Sequence, residues 1–200
     1  MVKRIVIIVM AIFISIGCIG CNLYIADTTK EGIVIGGKIY YPNQNGWYPI
    51  ERGEKIGCLN NLFTTVYYIK NDKNHIGIVI DDVFADADYA PYFEENENLN
   101  FPEAENIVGM MWKDAKEINY EIIDKNEVTN KICELYRSIE SMTIDGDYYT
   151  DEFICVFDKI KPGYYYEISV YSQGNQYWIV NKNGDPVKLP NDIVEILTKH

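Results

Sequence analysis

Histidine is almost missing from this chain of 200 residues: His75 and the terminal His200 are the only two. A zinc site gathers three or four His, Cys or acidic ligands close together. Cys58 and His75 form no such set at a familiar spacing. No G-x-S-x-G stretch occurs, which excludes a serine nucleophile presented on a strand-to-helix elbow. A cysteine nucleophile needs a base nearby in space, and Cys58 with His75 is the one pair available. A turn entering a strand, with a small buried thiol, is the plainer reading of Gly57-Cys58. Basic residues are also scarce, 18 Lys and Arg against 30 Asp and Glu, for a net charge of −12. Phosphate backbones repel so acidic a chain, so nucleic acid is excluded as a partner. Without a basic patch, attachment to an anionic bilayer requires a hydrophobic anchor. Long apolar runs are lacking too. The longest, Ile5 to Ile16, falls short of the about 20 residues a membrane-spanning helix needs. There is no internal repeat, and nothing calls for a cofactor or a metal.

That apolar run is of signal-peptide length, and it follows the basic start MVKR. Small residues and two cysteines come next, in ISIGCIGCN (14–22). A basic start, an apolar core and a small residue directly before Cys resemble the lipobox of bacterial lipoproteins. The resemblance implies cleavage before the Cys and a diacylglycerol thioether on its sulfur. Gly17 precedes Cys18, and Gly20 precedes Cys21. Ser15, three before Cys18, suits the lipobox better than Cys18 itself, three before Cys21. Cys18 is therefore the expected lipid attachment site, with Cys21 as the alternative. An uncleaved anchor helix over Ile5 to Cys21 is the competing reading. A thioredoxin-like pair has the right spacing but no βαβ context. Two acyl chains anchor stably where one is marginal. The expected organisation is a signal peptide over 1–17, a tether over 18–31 and a single α+β domain over 32–200, held at the outer face of the cell membrane. Losing Lys3 and Arg4 with the leader takes the charge from −12 to −14.

The chain as a whole is globular in composition, with 48% hydrophobic residues and 17 Tyr, a bias toward sheet. GIVIGGKIYY (32–41) is the first strand candidate. Asn45-Gly46 then signals a hairpin turn, with Trp47 to Ile50 as a return strand kept at an edge by Pro49. LFTTVYYIK (62–70) and HIGIVIDDV (75–83) form the clearest hairpin. Both faces of the first run carry apolar groups, so this hairpin is expected to be central. Asp81 to Glu105 holds nine acidic residues and no Lys or Arg. It reads as a long loop pinned by Tyr89, Tyr92, Phe93 and Phe101, with Pro102 opening a short helix to about Lys116. Asp124 to Glu127 resembles a capping box. Val128, Ile132, Leu135, Tyr136, Ile139 and Met142 recur at helical spacing, which predicts an amphipathic helix over about 125–142. FICVFDKI, YYYEISVYS and QYWIVNK are three further strands. Asn183-Gly184 is a turn, and Pro190-Asn191 starts a terminal helix. The sum is an α+β fold: a mostly antiparallel sheet with one long amphipathic helix packed on it and a short C-terminal helix.

Ile56-Gly57, Val66 to Lys70 and Ile78 to Ile80, followed by a Tyr-rich acidic stretch, resemble a pattern in small lipoproteins of Gram-positive bacteria. The resemblance covers about a fifth of the chain and brings no catalytic residues. Asp145-Gly146-Asp147 starts like a calcium loop. An EF-hand needs Gly at position six and Glu at twelve, where this chain has Thr150 and Val156. Asp86-Ala87-Asp88 fails in the same way at Pro91. Trp47-Tyr48, Tyr164 to Tyr166 and Tyr177-Trp178 offer rings to a glycan or peptide, although alternate residues of each strand must face a core. Cys133, on the expected helix, and Cys155, on the following strand, are candidates for a disulfide. The expectation for function is a non-enzymatic binding or interaction domain with a protein, peptide or glycan partner. The acidic segment favours a cationic partner. The alternative is a small surface hydrolase using acidic residues, which needs two carboxyl groups facing one cleft.

Overall fold

A computed structural model describes residues 27–28, 32–43, 46–59, 64–82, 90–94, 99–114, 126–140, 142–144 and 149–198. These hold thirteen strands, two α-helices and one 3-10 turn. The chain divides into two compact units: Met1–Asn43 with Glu51–Glu97, and Gln44–Ile50 with Asn98–His200. Among the described residues no helix is long and apolar enough to cross a membrane.

Unit one carries β1 (Asp27–Thr28), β2 (Ile33–Ile35), β3 (Lys38–Pro42), β5 (Arg52–Cys58), β6 (Thr64–Ile69), β7 (Gly77–Asp82) and β8 (Ala90–Glu94). They form one antiparallel sheet in the order β1-β2-β3-β8-β7-β6-β5. The expected strand 32–41 is in fact a hairpin. Gly36 and Gly37 adopt φ of 58° and 85°, which a residue with a Cβ rarely tolerates, and the chain reverses there. The 62–83 hairpin forms as β6 and β7, inside the sheet, with Val66 opposite Ile80 and Tyr68 opposite Ile78. Ile33, Ile35, Tyr40, Val66 and Ile78 make a buried cluster on one face. Each such aliphatic side chain contributes about 1.5–3 kcal/mol on burial.

Unit two carries β4 (Trp47–Pro49), β9 (Ile107–Asp114), β10 (Tyr149–Asp158), β11 (Tyr164–Gln173), β12 (Gln176–Val180) and β13 (Pro186–Lys188), with α1 (Asn126–Arg137) and α2 (Asn191–Thr198). The sheet order is β13-β12-β11-β10-β9, and β4 pairs with the start of β11. Along β11 the residues Tyr164, Tyr166, Ile168 and Val170 are buried in strict alternation, the period-two signature of a strand with one core face. α1 lies against β9 and β12, and α2 against β9. α1 buries Val128, Ile132, Cys133 and Tyr136, and α2 buries Ile193 and Leu197.

The α+β expectation, with one long helix packed on a sheet, is overturned: the fold is mostly β, with two sheets and two short helices. Three local causes account for this. The helix expected over 125–142 has 12 residues and stops at Arg137. The carbonyl of Tyr136 accepts the Lys182 N–H at 2.9 Å. The Asn181 amide donates to the carbonyls of Ser138 and Glu140, at 3.2 and 3.1 Å. Ser138 Oγ takes the N–H of Glu140 at 2.9 Å. Groups that would continue the helix are thus bonded elsewhere. Ile139 and Met142 consequently lie outside it and are exposed. The helix expected from Pro102 to Lys116 is a three-residue 3-10 turn, Ala104–Asn106, followed by β9. Ile107, Val108 and Trp112 are strand formers, and pairing with β10 satisfies the backbone. Lastly, Trp47 to Pro49 does not return beside β3. It adds to β11 as an edge strand, where Pro49 lacks only a donor the edge does not need. The proposed capping box at Asp124 and Lys125, Tyr89, and the acidic triplets at 86–88 and 145–147 lie outside the described residues.

Candidate functional site

The C-terminal end of α1, the loop 99–103 and the start of β11 line an open groove of about 660 Å³ in unit two. Its lining includes Gly46, Phe101, Glu103, Tyr136, Arg137, Tyr166 and Lys182. β11 points Tyr166 inward as part of its alternation, and the last turn of α1 brings Tyr136 to meet it. Their hydroxyl oxygens are 2.6 Å apart, a buried hydrogen bond. Phe101 stacks on Tyr136 at 4.2 Å and meets Tyr166 edge-on at 5.1 Å. Trp47, wholly buried, stands edge-on to Tyr166 at 5.5 Å and donates its indole N–H to the Leu99 carbonyl at 3.0 Å. That bond ties the loop carrying Phe101 to β4.

Gly46 sits at the mouth of this floor with φ of 76°. A Cβ there would come within 3.1 Å of Tyr166 Cζ and 3.3 Å of its hydroxyl. The positive φ favours glycine here, and a Cβ would press the phenol back by a few tenths of an ångström. The rim is charged. Arg137 Nη2 donates to Glu103 Oε2 at 2.8 Å and to the Pro102 carbonyl at 3.1 Å, with the guanidinium 5.7 Å from the Phe101 ring centre. As a basic residue in the last turn of α1, Arg137 also suits the negative end of the helix dipole. Lys182 is held at the rim by its backbone bond to Tyr136. Burial, reinforced by the bond to Tyr136, pushes the Tyr166 phenol far above its ordinary range. The Tyr166 hydroxyl is therefore held in its neutral form.

A second aromatic stripe crosses the opposite face of the sheet. Tyr48 stacks on Tyr165 at 5.8 Å, Phe157 lies across from Tyr165, and Lys113 is 5.8 Å from the Tyr165 ring centre. Glu167 lies in the same row of side chains, opposite Cys155. Burial raises its carboxyl and Lys113 lowers it, with a net upward shift. Of the rings singled out in the sequence, Trp47, Tyr164, Tyr166 and Trp178 are buried, while Tyr48, Tyr165 and Tyr177 are half-buried.

Cys58, Cys133 and Cys155 are free thiols. Burial pushes Cys155 up to about 12 and raises Cys133 as well, so neither supplies a thiolate at neutral pH. Cys58 lies opposite Thr65, whereas the His75 ring rests on Tyr68, three residues further along β6. The structure thus gives the two candidates of a thiol–imidazole pair different partners. Among the described residues no cluster of three His, Cys, Asp or Glu is placed to hold a metal. Cys18 and Cys21 lie outside the described residues. Sequence reasoning singled out Tyr166 but not Phe101 and Arg137 as its partners. The available signal was a basic residue directly after a helical Tyr, at the end of an apolar stripe. Compared with known proteins, the chain matches no family model, no curated protein and no solved structure at a significant level.

Proposed function

We propose that the chain is a lipoprotein tethered to the outer face of the cell membrane through Cys18, with Cys21 as the alternative attachment. Its folded units act as a non-enzymatic binding domain for an extracellular peptide, protein or glycan. The anchor rests on the N-terminal sequence. The binding role rests on one observation, the groove floored by Phe101, Tyr136 and Tyr166 and rimmed by Arg137, Glu103 and Lys182. A carboxylate hydrolase needs two carboxyl groups across one cleft. The groove lining holds one, Glu103, and Arg137 engages it, which favours binding over hydrolysis. The cationic partner expected from the acidic segment depends on residues 81–105, of which 83–89 and 95–98 lie outside the described set.

Two measurements test this reading. Acyl labelling in cells should be lost in Cys18→Ala; retention there with loss in Cys21→Ala moves the anchor to Cys21, and retention in both rejects the lipoprotein. The full-length chain, screened on peptide and glycan arrays, should bind a ligand that the folded Phe101→Ala variant does not. A ligand bound equally by both rejects the groove as the binding site.

A further inference from the structure

We propose that this groove binds an oxyanion, a carboxylate or phosphate group carried by the extracellular ligand. The proposal rests on the groove being the binding site and adds the chemistry of what it grips. The floor supplies the first argument. The hydroxyls of Tyr136 and Tyr166 carry two hydrogens between them, and their mutual bond at 2.6 Å uses one. Among the described residues no further acceptor bonds either oxygen. Both side chains are about nine-tenths buried, each residue being 9% exposed, and both line the groove. A buried hydroxyl hydrogen left over in this way is a donor available to an incoming acceptor.

The rim supplies the second argument. Arg137 commits one nitrogen, Nη2, to Glu103 and Pro102. Its Nη1 and Nε groups make no bond among the described residues, and a guanidinium presents these donors in a planar fork suited to carboxylate or phosphate. The Lys182 ammonium likewise has no partner among the described residues, although its backbone is fixed against Tyr136. The lining thus sets two cations against one carboxylate, in a chain whose net charge is −12. A local excess of positive charge and phenolic donors, on a protein otherwise rich in carboxylates, selects an acceptor with negative charge. The Phe101 ring centre lies 5.7 Å from the guanidinium carbon, a cation–π contact that joins the rim to the floor.

The test titrates the full-length chain, followed by NMR of the backbone amides, with inorganic phosphate, with N-acetylglycine and with N-acetylglycine amide as the uncharged match. At least one anion should shift the Gly46 and Lys182 amides saturably, and the amide should not. Tighter binding of phosphate assigns a phosphate source, and tighter binding of N-acetylglycine a carboxylate source. Arg137→Gln should weaken binding at least tenfold and Tyr166→Phe at least threefold, with Lys188→Gln, whose ammonium bonds Gln176 and is not part of the groove lining, unchanged. Circular dichroism melting confirms that each variant is folded. The proposal is overturned if neither anion moves those amides, or if folded Arg137→Gln binds as the parent does. Should the anions fail while Phe101→Ala still abolishes the array ligand, the oxyanion inference falls and the binding reading stands.

Discussion

Each unit has a buried polar residue that organises a turn, and the two are chemically different. In unit one it is Asp72, which accepts the N–H groups of Asn74 and Gly77 at 3.2 and 3.1 Å and closes the connection between β6 and β7. In unit two it is Asn181, which does the same for Asn183 and Asp185 at 2.8 and 3.0 Å, between β12 and β13. A carboxylate only accepts, and these two bonds of Asp72 fall within its own turn. An amide also donates, and Asn181 spends its two hydrogens on Ser138 and Glu140, more than 40 residues away in sequence. One extra chemical capability ties a turn to a helix end. That tie stops α1 at Arg137 and sets Tyr136 and Arg137 beside β11. Unit one has no helix among its described residues, and unit two has a groove.

The largest effect that separates the units should come from α1 itself. Ile132 is wholly buried on the helix face toward the sheet. Ile132→Asp places a charge there without a partner and should cost unit two about 4 kcal/mol or more. Denaturant unfolding measures the loss, and hydrogen exchange should show it in β9 to β12. A variant with unchanged stability removes α1 from the core.

The next effect swaps the two organising residues. Asn181→Asp keeps the acceptor for its own turn, removes both donors to the helix end and buries a carboxylate facing two carbonyls. A loss of about 3 kcal/mol is expected, with exchange protection falling at Lys182 as the helix end detaches. In the mirror change, Asp72→Asn keeps one acceptor and turns an amide hydrogen toward the Gly77 N–H, or leaves that N–H unpaired. The expected loss is about 2 kcal/mol, confined to the 70–77 turn. Equal losses for the two swaps would mean that the reach of Asn181 to α1 adds nothing.

Much of unit one was legible in the sequence because its signals are local. The 62–83 hairpin follows from alternating β-branched and aromatic residues on either side of a polar turn, and both strands stand where that pattern puts them. The end of α1 was not legible, because helical periodicity carries on through Ile139 and Met142 without a break. What stops it is bonding from Lys182 and Asn181, invisible to any local window. The same holds for β4. Asn45-Gly46 is a sound turn signal, but the partner chosen by Trp47 to Pro49 is β11, more than 100 residues on. The groove inherits both uncertainties. Tyr166 could be picked from a Tyr-rich strand, whereas Phe101 and Arg137 became its partners through the helix end and the indole bond of Trp47.

The smallest effect expected concerns the other face of the unit-two sheet, where a charged residue faces burial with incomplete relief. Glu167 is raised above the ordinary carboxylate value of 4.5, by burial first, with Lys113 pulling partly the other way. An acid whose folded pKa is raised holds its proton more tightly in the folded state than in the unfolded one. Its contribution to stability is present at pH below the ordinary value and is lost as pH rises through the folded one. Glu167→Gln removes this titration and keeps the shape. The stability of the Gln variant relative to the parent should therefore rise as pH climbs through and above the carboxylate range, and level off once Glu167 is ionised in both states. Paired denaturant melts across that range measure the difference directly. A flat difference would mean that Lys113 offsets the burial in full, and a falling one would mean that the Lys113 attraction outweighs it. Either result would make this face an ion-paired surface, in contrast with the hydrogen-bonded phenols that floor the groove.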